Sequence, residues 1–272
     1  MNEWATNKLI SAKTVQEAKD ALSAGANLHF KREYTKITPI MLMLKNKAPY
    51  EVINFVVSVD PSIVNELDAD DTLPVVYALR YMAKPAVTEL LINKTTNIDQ
   101  QDTRGDTPLI YAFRHGAKHK IKKLLVNKTK NIDAQSRNNE IYNSYFGMVP
   151  GGRTALMEAC RSGCNTEALD ALIKKGANVN AEDEYGWTPL WYAVYHGNVA
   201  TVKYLLKNGA IVDLNKKDKY RFYWYIPKGI LSYTGKSATI RQLLLEYAQK
   251  QSNNKLHDLV AKQAGKTRIN SK

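Results

Sequence analysis

The stretch Asp183-Glu184-Tyr185-Gly186-Trp187-Thr188-Pro189-Leu190-Trp191-Tyr192-Ala193 decides the fold. Thr188 can cap a helix with its hydroxyl, and Pro189 suits the first helical position, where its missing N–H is not needed. Leu190 and Ala193 then face inward, and Gly197 breaks the helix. A second apolar series follows at helical spacing, with Val199, Val202, Leu205 and Leu206. Gly209 supplies the left-handed residue that ends it, and Ala210-Ile211-Val212-Asp213 starts an extended linker. The unit is a turn, two short helices and a connection to the next copy.

The chain repeats this unit. Thr107-Pro108-Leu109-Ile110 precedes Ala112 and Gly116, and Thr154-Ala155-Leu156-Met157 precedes Ala159 and Gly163. Weaker copies are Thr38-Pro39-Ile40-Met41 and Leu73-Pro74-Val75-Val76. The first residues of the five copies lie 35, 34, 47 and 34 positions apart. A fixed period in the thirties means stacked supersecondary units, and such a stack usually holds a partner and performs no chemistry. Unit ends share a grammar as well, in Gly25-Ala26-Asn27-Leu28, Asn97-Ile98-Asp99, Asn131-Ile132-Asp133 and Gly176-Ala177-Asn178-Val179-Asn180.

With these motifs in view the chain resembles the ankyrin-repeat family from about residue 4 to residue 248. The family pattern, Asp-x-x-Gly-x-Thr-Pro-Leu-His-x-Ala, a helix-loop-helix and Gly-Ala-x-Val-Asn, is matched closely over residues 183–213. The resemblance implies an all-α solenoid of stacked helix-turn-helix units with projecting hairpin loops. Its expected division is a repeat domain over 1–250 and a C-terminal tail over 251–272. Within the domain an N-terminal cap covers about 4–25, central repeats about 26–213 and a C-terminal cap about 228–249.

Three departures stand out. The family histidine after Thr-Pro-Leu is replaced by Met41, Val76, Ile110, Met157 and Trp191. Because that histidine ties neighbouring repeats by hydrogen bonds, apolar packing is expected to hold this stack together. The long third spacing places an extra hairpin finger over residues 137–152. A basic, aromatic segment, Lys216 to Tyr225, has no place in the pattern.

Composition narrows the function classes. The net charge of +13 favours acidic partners without choosing their kind. No apolar run approaches a membrane span and Met1-Asn2-Glu3-Trp4 does not begin a signal segment, so a cytoplasmic protein without a membrane partner is expected. Cys160 and Cys164 read as buried structural thiols, because two thiols without a neighbouring His or Cys pair make a poor metal site. Gly235-Lys236-Ser237 resembles the end of a phosphate-binding loop, but Gly229 stands one position too far away and no strand leads into it. No triad, paired carboxylates or metal set forms among sequence neighbours; no enzyme activity, cofactor or metal is expected.

The resemblance implies that ligand contacts come from hairpin tips and the exposed side of each first helix, which line a concave groove. Five of the ten arginines fall in those slots, Arg80, Arg104, Arg114, Arg153 and Arg161, whereas Lys45 alone represents the lysines. Tyr81, His115, Tyr185, Trp187, Tyr195 and His196 complete the expected site. Arginine and aromatics combine packing area with directed hydrogen bonds at interfaces. Asp70, Asp102, Asp106 and Glu158 are close enough in the repeat frame to neutralise some of the arginines. Tyr142, Tyr145, Phe146 and Met148 of the finger form a second candidate contact.

The expected function is a non-catalytic protein-binding module, acting as a monomeric scaffold, inhibitor or effector whose groove holds an acidic protein partner. The alternative is a nucleic-acid binder using the same basic surface and the Lys216–Arg221 run.

Overall fold

The computed structural model describes residues 2–137, 142–143, 147–148, 151–163, 165–217, 229–235 and 237–269, with the backbone alone for 142–143, 147–148 and 255–269. Helices come in pairs along the chain. The N-terminal pair is α1 (Glu3–Ser11) and α2 (Val15–Ser23). Five central pairs follow: α3 (Pro39–Lys45) with α4 (Tyr50–Val59), α5 (Pro74–Arg80) with α6 (Pro85–Lys94), and α7 (Pro108–Arg114) with α8 (His119–Lys128). The last two are α9 (Ala155–Arg161) with α10 (Thr166–Lys174) and α11 (Pro189–Tyr195) with α12 (Val199–Lys207). A 3-10 turn (Ile230–Tyr233) and α13 (Ala238–Ile269) close the stack. First helices touch first helices in sequence order and second helices touch second helices, which makes two layers over one continuous core.

The first helices show why the motif folds this way. Each begins one residue after an extended N-cap, and four of the five central ones place proline at the first helical position. The hydroxyls of Thr107 and Thr154 accept the N–H groups of Ile110 and Met157, as capping requires. Thr188 has the same extended backbone, but its hydroxyl makes no such bond. The first six residues of each of these helices are buried, including Tyr111 and Phe113 at the centre of the stack.

Two equivalent positions in every central repeat adopt a left-handed backbone. Nine residues after the motif start these are Lys47, Met82, Gly116, Gly163 and Gly197; two residues before it they are Lys36, Asp71, Gly105, Gly152 and Gly186. The two weaker copies therefore place side-chain-bearing residues where a Cβ is sterically disfavoured.

Polar ties join the repeats, which corrects the expectation that apolar packing alone does so. At the hairpin tips, Ala69 N–H donates to Thr35 C=O, Thr103 to Asp70, Arg137 to Arg104, and Glu184 to Gly151, at 2.6–3.1 Å. At the linkers, side-chain oxygens of Asn65, Asp99, Asp133 and Asn180 accept the N–H groups of Thr96, Lys130, Asn178 and Ile211 at 2.8–2.9 Å. These contacts join successive repeats at positions where the donor residues are exposed, and they do so without the family histidine.

The finger interrupts this ladder without breaking it. Arg137 receives the connection from the third repeat, and Gly151 passes it to the fifth. Between them Tyr142 pairs with Met148 and Asn143 with Gly147 in a short antiparallel ladder, β1 (Tyr142–Asn143) and β2 (Gly147–Met148). Tyr145 and Phe146 lie outside the described residues, as do Cys164, Lys236 and the segment 218–228. Cys160 is buried. At the C-terminal end α13 runs unbroken across the expected boundary at 250. Ile240 and Leu244 are buried, and Gln251 bonds the backbone of Ala210 and Val212.

Candidate functional site

The hairpins that carry the expected contact residues are organised by an aspartate five positions before the motif. In Asp68, Asp102 and Asp183 one carboxylate oxygen accepts two N–H groups of its own turn, from residues two and four further on. The other oxygen accepts the hydroxyl of Tyr77, Tyr111 or Tyr192, nine residues ahead, at 2.6–2.9 Å. Each turn is thereby fixed to its own first helix. Burial, with the aspartate second, pushes the Tyr111 hydroxyl up to about 12. Asp183 is itself raised, because burial outweighs its hydrogen bonds from Tyr192 and the turn. The Asp–Tyr pairing at nine-residue spacing was present in three sequence copies and could have been found there.

The fourth repeat replaces this device. Ser136 stands in the aspartate's place, its hydroxyl accepting Arg153 N–H at 3.1 Å, and Glu158 stands in the tyrosine's. Glu158 is completely buried and pairs with three guanidinium groups: Arg114 at 3.0 Å, Arg153 at 3.1 Å and Arg161 at 2.8 Å. Burial opposes its ionisation, yet Arg114, Arg153 and Arg161 together hold its carboxyl below the usual range. Arg114 also forms a fork on both oxygens of Asp106.

Three guanidinium groups surround the ring of Tyr111, with Arg80 at 5.2 Å, Arg104 at 5.6 Å and Arg114 at 5.7 Å from its centroid. Arg80 and Arg104 both point an N–H at the Tyr111 hydroxyl. Arg104 reaches Asp102 only at 3.4 Å. His115 stacks on the same ring at 5.6 Å and 10°, and partial burial beside Arg114 and Arg80 lowers its pKa. Tyr81 packs on Tyr77.

A second cluster closes the C-terminal end. Trp187 contacts Trp191, Tyr192, Tyr195 and Tyr233, the last at 5.1 Å from the closing 3-10 turn. Tyr195 and His196 are exposed and in mutual ring contact, while Tyr185 is half-buried. The expected site residues thus fall into an arginine cluster on the second to fourth repeats and an aromatic cluster on the fifth. Arg153 is buried, and Arg80, Arg104, Arg114 and Arg161 are part-exposed. Among the described residues no three His, Cys, Asp or Glu side chains are grouped to hold a metal ion, and no helix is long and apolar enough to cross a membrane.

The repeated turn, buried first helix and outer second helix define a helical repeat solenoid, and the comparisons with known proteins agree. A family model described as ankyrin repeats (3 copies) matches residues 40–138 and 134–218. The chain belongs to the ankyrin-repeat family, whose repeats are generally protein-interaction modules. Rat ankyrin repeat and SAM domain-containing protein 6 is 44% identical over 70 residues, 25% of this chain and 8% of that protein. Human protein phosphatase 1 regulatory subunit 27 is 42% identical over 69 residues, 25% of this chain and 44% of that protein. The chain therefore spans less than half the length of these curated relatives. The crystal structure of the human ASB11 ankyrin repeat domain superposes with a TM-score of 0.63 at 18% identity, covering 89% of this chain and 96% of that one.

Proposed function

We propose that the chain is a non-catalytic, cytoplasmic and monomeric protein-binding module. Its turn-and-first-helix face receives an acidic segment of a partner protein. One observation carries this reading: of the five arginines on that face, Arg104, Arg114, Arg153 and Arg161 ion-pair with Asp102, Asp106 and Glu158, while Arg80 pairs with no carboxylate among the described residues. Arg80 is held against Tyr77 and Tyr111, so its charge is preorganised for an anionic partner. Tyr195 and the Trp187 cluster add an aromatic anchor at one end. The finger residues Tyr142, Tyr145, Phe146 and Met148 serve as a secondary contact.

Partner capture from the native lysate by wild type and by an Arg104→Gln/Arg161→Gln variant tests the reading, with neutral replacements because Arg104 faces Asp102 and Arg161 pairs with Glu158. Arg114 is left in place, because it sits between Asp106 and Glu158. The variant is expected to keep its fold and lose the protein partner; unchanged capture overturns the groove as the contact. Recovery of RNA or DNA with a steep salt dependence would favour a nucleic-acid reading instead.

A further inference from the structure

Two guanidinium groups on this face converge on one neutral oxygen. Arg80 Nη2 lies 2.7 Å from the Tyr111 hydroxyl oxygen, and Arg104 approaches the same oxygen. That oxygen's own proton is committed to Asp102 Oδ2 at 2.9 Å. Asp102 Oδ1 is in turn occupied by the N–H groups of Arg104 and Asp106. Among the described residues no carboxylate pairs with Arg80, and Asp102 meets Arg104 only at the long distance of 3.4 Å. Two like charges facing one neutral oxygen repel each other, and a doubly charged oxyanion bridging them removes that repulsion. Both side chains are part-exposed, so an outside group can reach them.

A mostly apolar cleft, edged by Lys84 and Lys118, begins beside them. Leu79, Met82, Pro85, Thr88, Ala117 and Ile121 line it, together with His115, which stacks on Tyr111. A peptide can fill both features at once, one side chain on the arginines and a neighbouring aliphatic one in the cleft. A nucleic acid offers the phosphate but no aliphatic side chain.

We propose that Arg80 and Arg104, converging on Tyr111, form a subsite for the phosphorylated serine or threonine of a partner peptide, with an adjacent aliphatic residue seated in the Leu79–Met82–Ile121 cleft. This rests on the reading of the groove as the partner site. Arg80 supplies the charge that has no internal counter-ion, and Arg104 exchanges a stretched pair for a bridging one. Bidentate guanidinium recognition makes arginine the fitting residue for this task. His115 lies at the rim and senses the change, since an anion here offsets the field of Arg80 and Arg114.

The test uses three immobilised degenerate peptide libraries that differ only in a central phosphoserine, glutamate or serine. Wild type is expected to retain the phosphoserine library about tenfold over serine, about 1.4 kcal/mol, and to select an aliphatic residue next to the phosphate. Arg80→Gln and Arg104→Gln, each checked for an unchanged thermal melt, are expected to lose that preference. Inorganic phosphate is expected to raise the His115 pKa read by NMR, in wild type but not in Arg80→Gln. Equal retention of phosphoserine and serine, or full retention by both variants, overturns the proposal. Equal retention of glutamate overturns the doubly charged ligand, and equal competition by a charge-matched oligothymidylate overturns the peptide. Partner capture that survives phosphatase treatment of the lysate, but is lost in Arg104→Gln/Arg161→Gln, sinks the phosphate subsite and leaves the groove reading standing.

Discussion

Arg114 on α7 donates its Nε–H to Glu158 on α9 at 3.0 Å, across 44 positions of sequence, and the carboxylate it meets is completely shielded from water. This bond joins the third and fourth repeats at the point where the chain departs from its regular period.

Removing that carboxylate leaves Arg114, Arg153 and Arg161 short of their shared counter-charge. Glu158→Ala is expected to cost about 3–5 kcal/mol in denaturant unfolding, the range for breaking a buried ion pair from one side. Glu158→Tyr, which installs the residue used by three other repeats, should recover little, because Ser136 offers no carboxylate to its hydroxyl. Adding Ser136→Asp should recover part of the loss. The folded pKa of Glu158 lies below its ordinary 4.5, so its contribution is full above that value and disappears as pH falls through the lowered one. Wild type should lose more stability on acidification than Glu158→Gln; parallel pH profiles would contradict this.

His29 provides a tie with the opposite sign. Its Nδ1 meets Glu66 at 2.5 Å and its Nε2 meets Asp60 at 2.9 Å, joining the first linker to the next repeat. The Glu66 hydrogen bond, only partly opposed by burial, raises the imidazole pKa above 6.5. The stabilisation is therefore fully present below 6.5 and is lost as pH rises through the raised value. The melting temperature of wild type should exceed that of His29→Gln at about pH 5.5, and the gap should close by about pH 9.

The left-handed positions make a stability series. Met82 is 74% exposed and has a φ of 54°, so its side chain contributes little packing while its backbone is disfavoured. Met82→Gly and Asp71→Gly are each expected to raise stability by about 0.5–1 kcal/mol, against the usual cost of glycine in the unfolded chain. Gly105→Ala should be clearly destabilising, because its Cβ would lie 2.8 Å from the Arg137 backbone nitrogen. Gly116→Ala meets no atom within 4 Å and should cost only the backbone term, about 1 kcal/mol. Equal losses at the two glycines in thermal melts would refute the close-approach argument.

The aspartate turns should rank by how many bonds they lose. Asp102→Ala strands two turn N–H groups and the Tyr111 hydroxyl, for an expected loss of about 3 kcal/mol; Tyr77→Phe removes one hydroxyl bond and should cost about 1 kcal/mol. Differential scanning calorimetry of the two variants checks the order.

The repeat architecture was legible because it rests on local rules. Pro108 and Pro189 mark helix starts, Gly116 and Gly197 mark their ends, and the apolar spacing of Val199, Val202, Leu205 and Leu206 names the buried side of α12. The finger was legible as a surplus in the period. The histidine's absence, by contrast, suggested purely apolar cohesion, and that was wrong. Asn65, Asp99, Asp133 and Asn180 tie linker to linker; the last three close the shared unit ends, but that pattern does not tell that each side chain bonds a neighbouring repeat.

The sequence by itself determined which residues share a face, because a fixed period places Arg80, Arg114 and Arg161 at the same point of successive units. Only the tertiary structure decided what each arginine does there. Arg114 and Arg153 are bound into the stack by Glu158, while Arg80 is paired with no carboxylate among the described residues. The difference is one of distance and burial. A charge is neutralised by whatever carboxylate folding brings within about 3–4 Å of it, and the repeat pattern fixes the slot without fixing the neighbour.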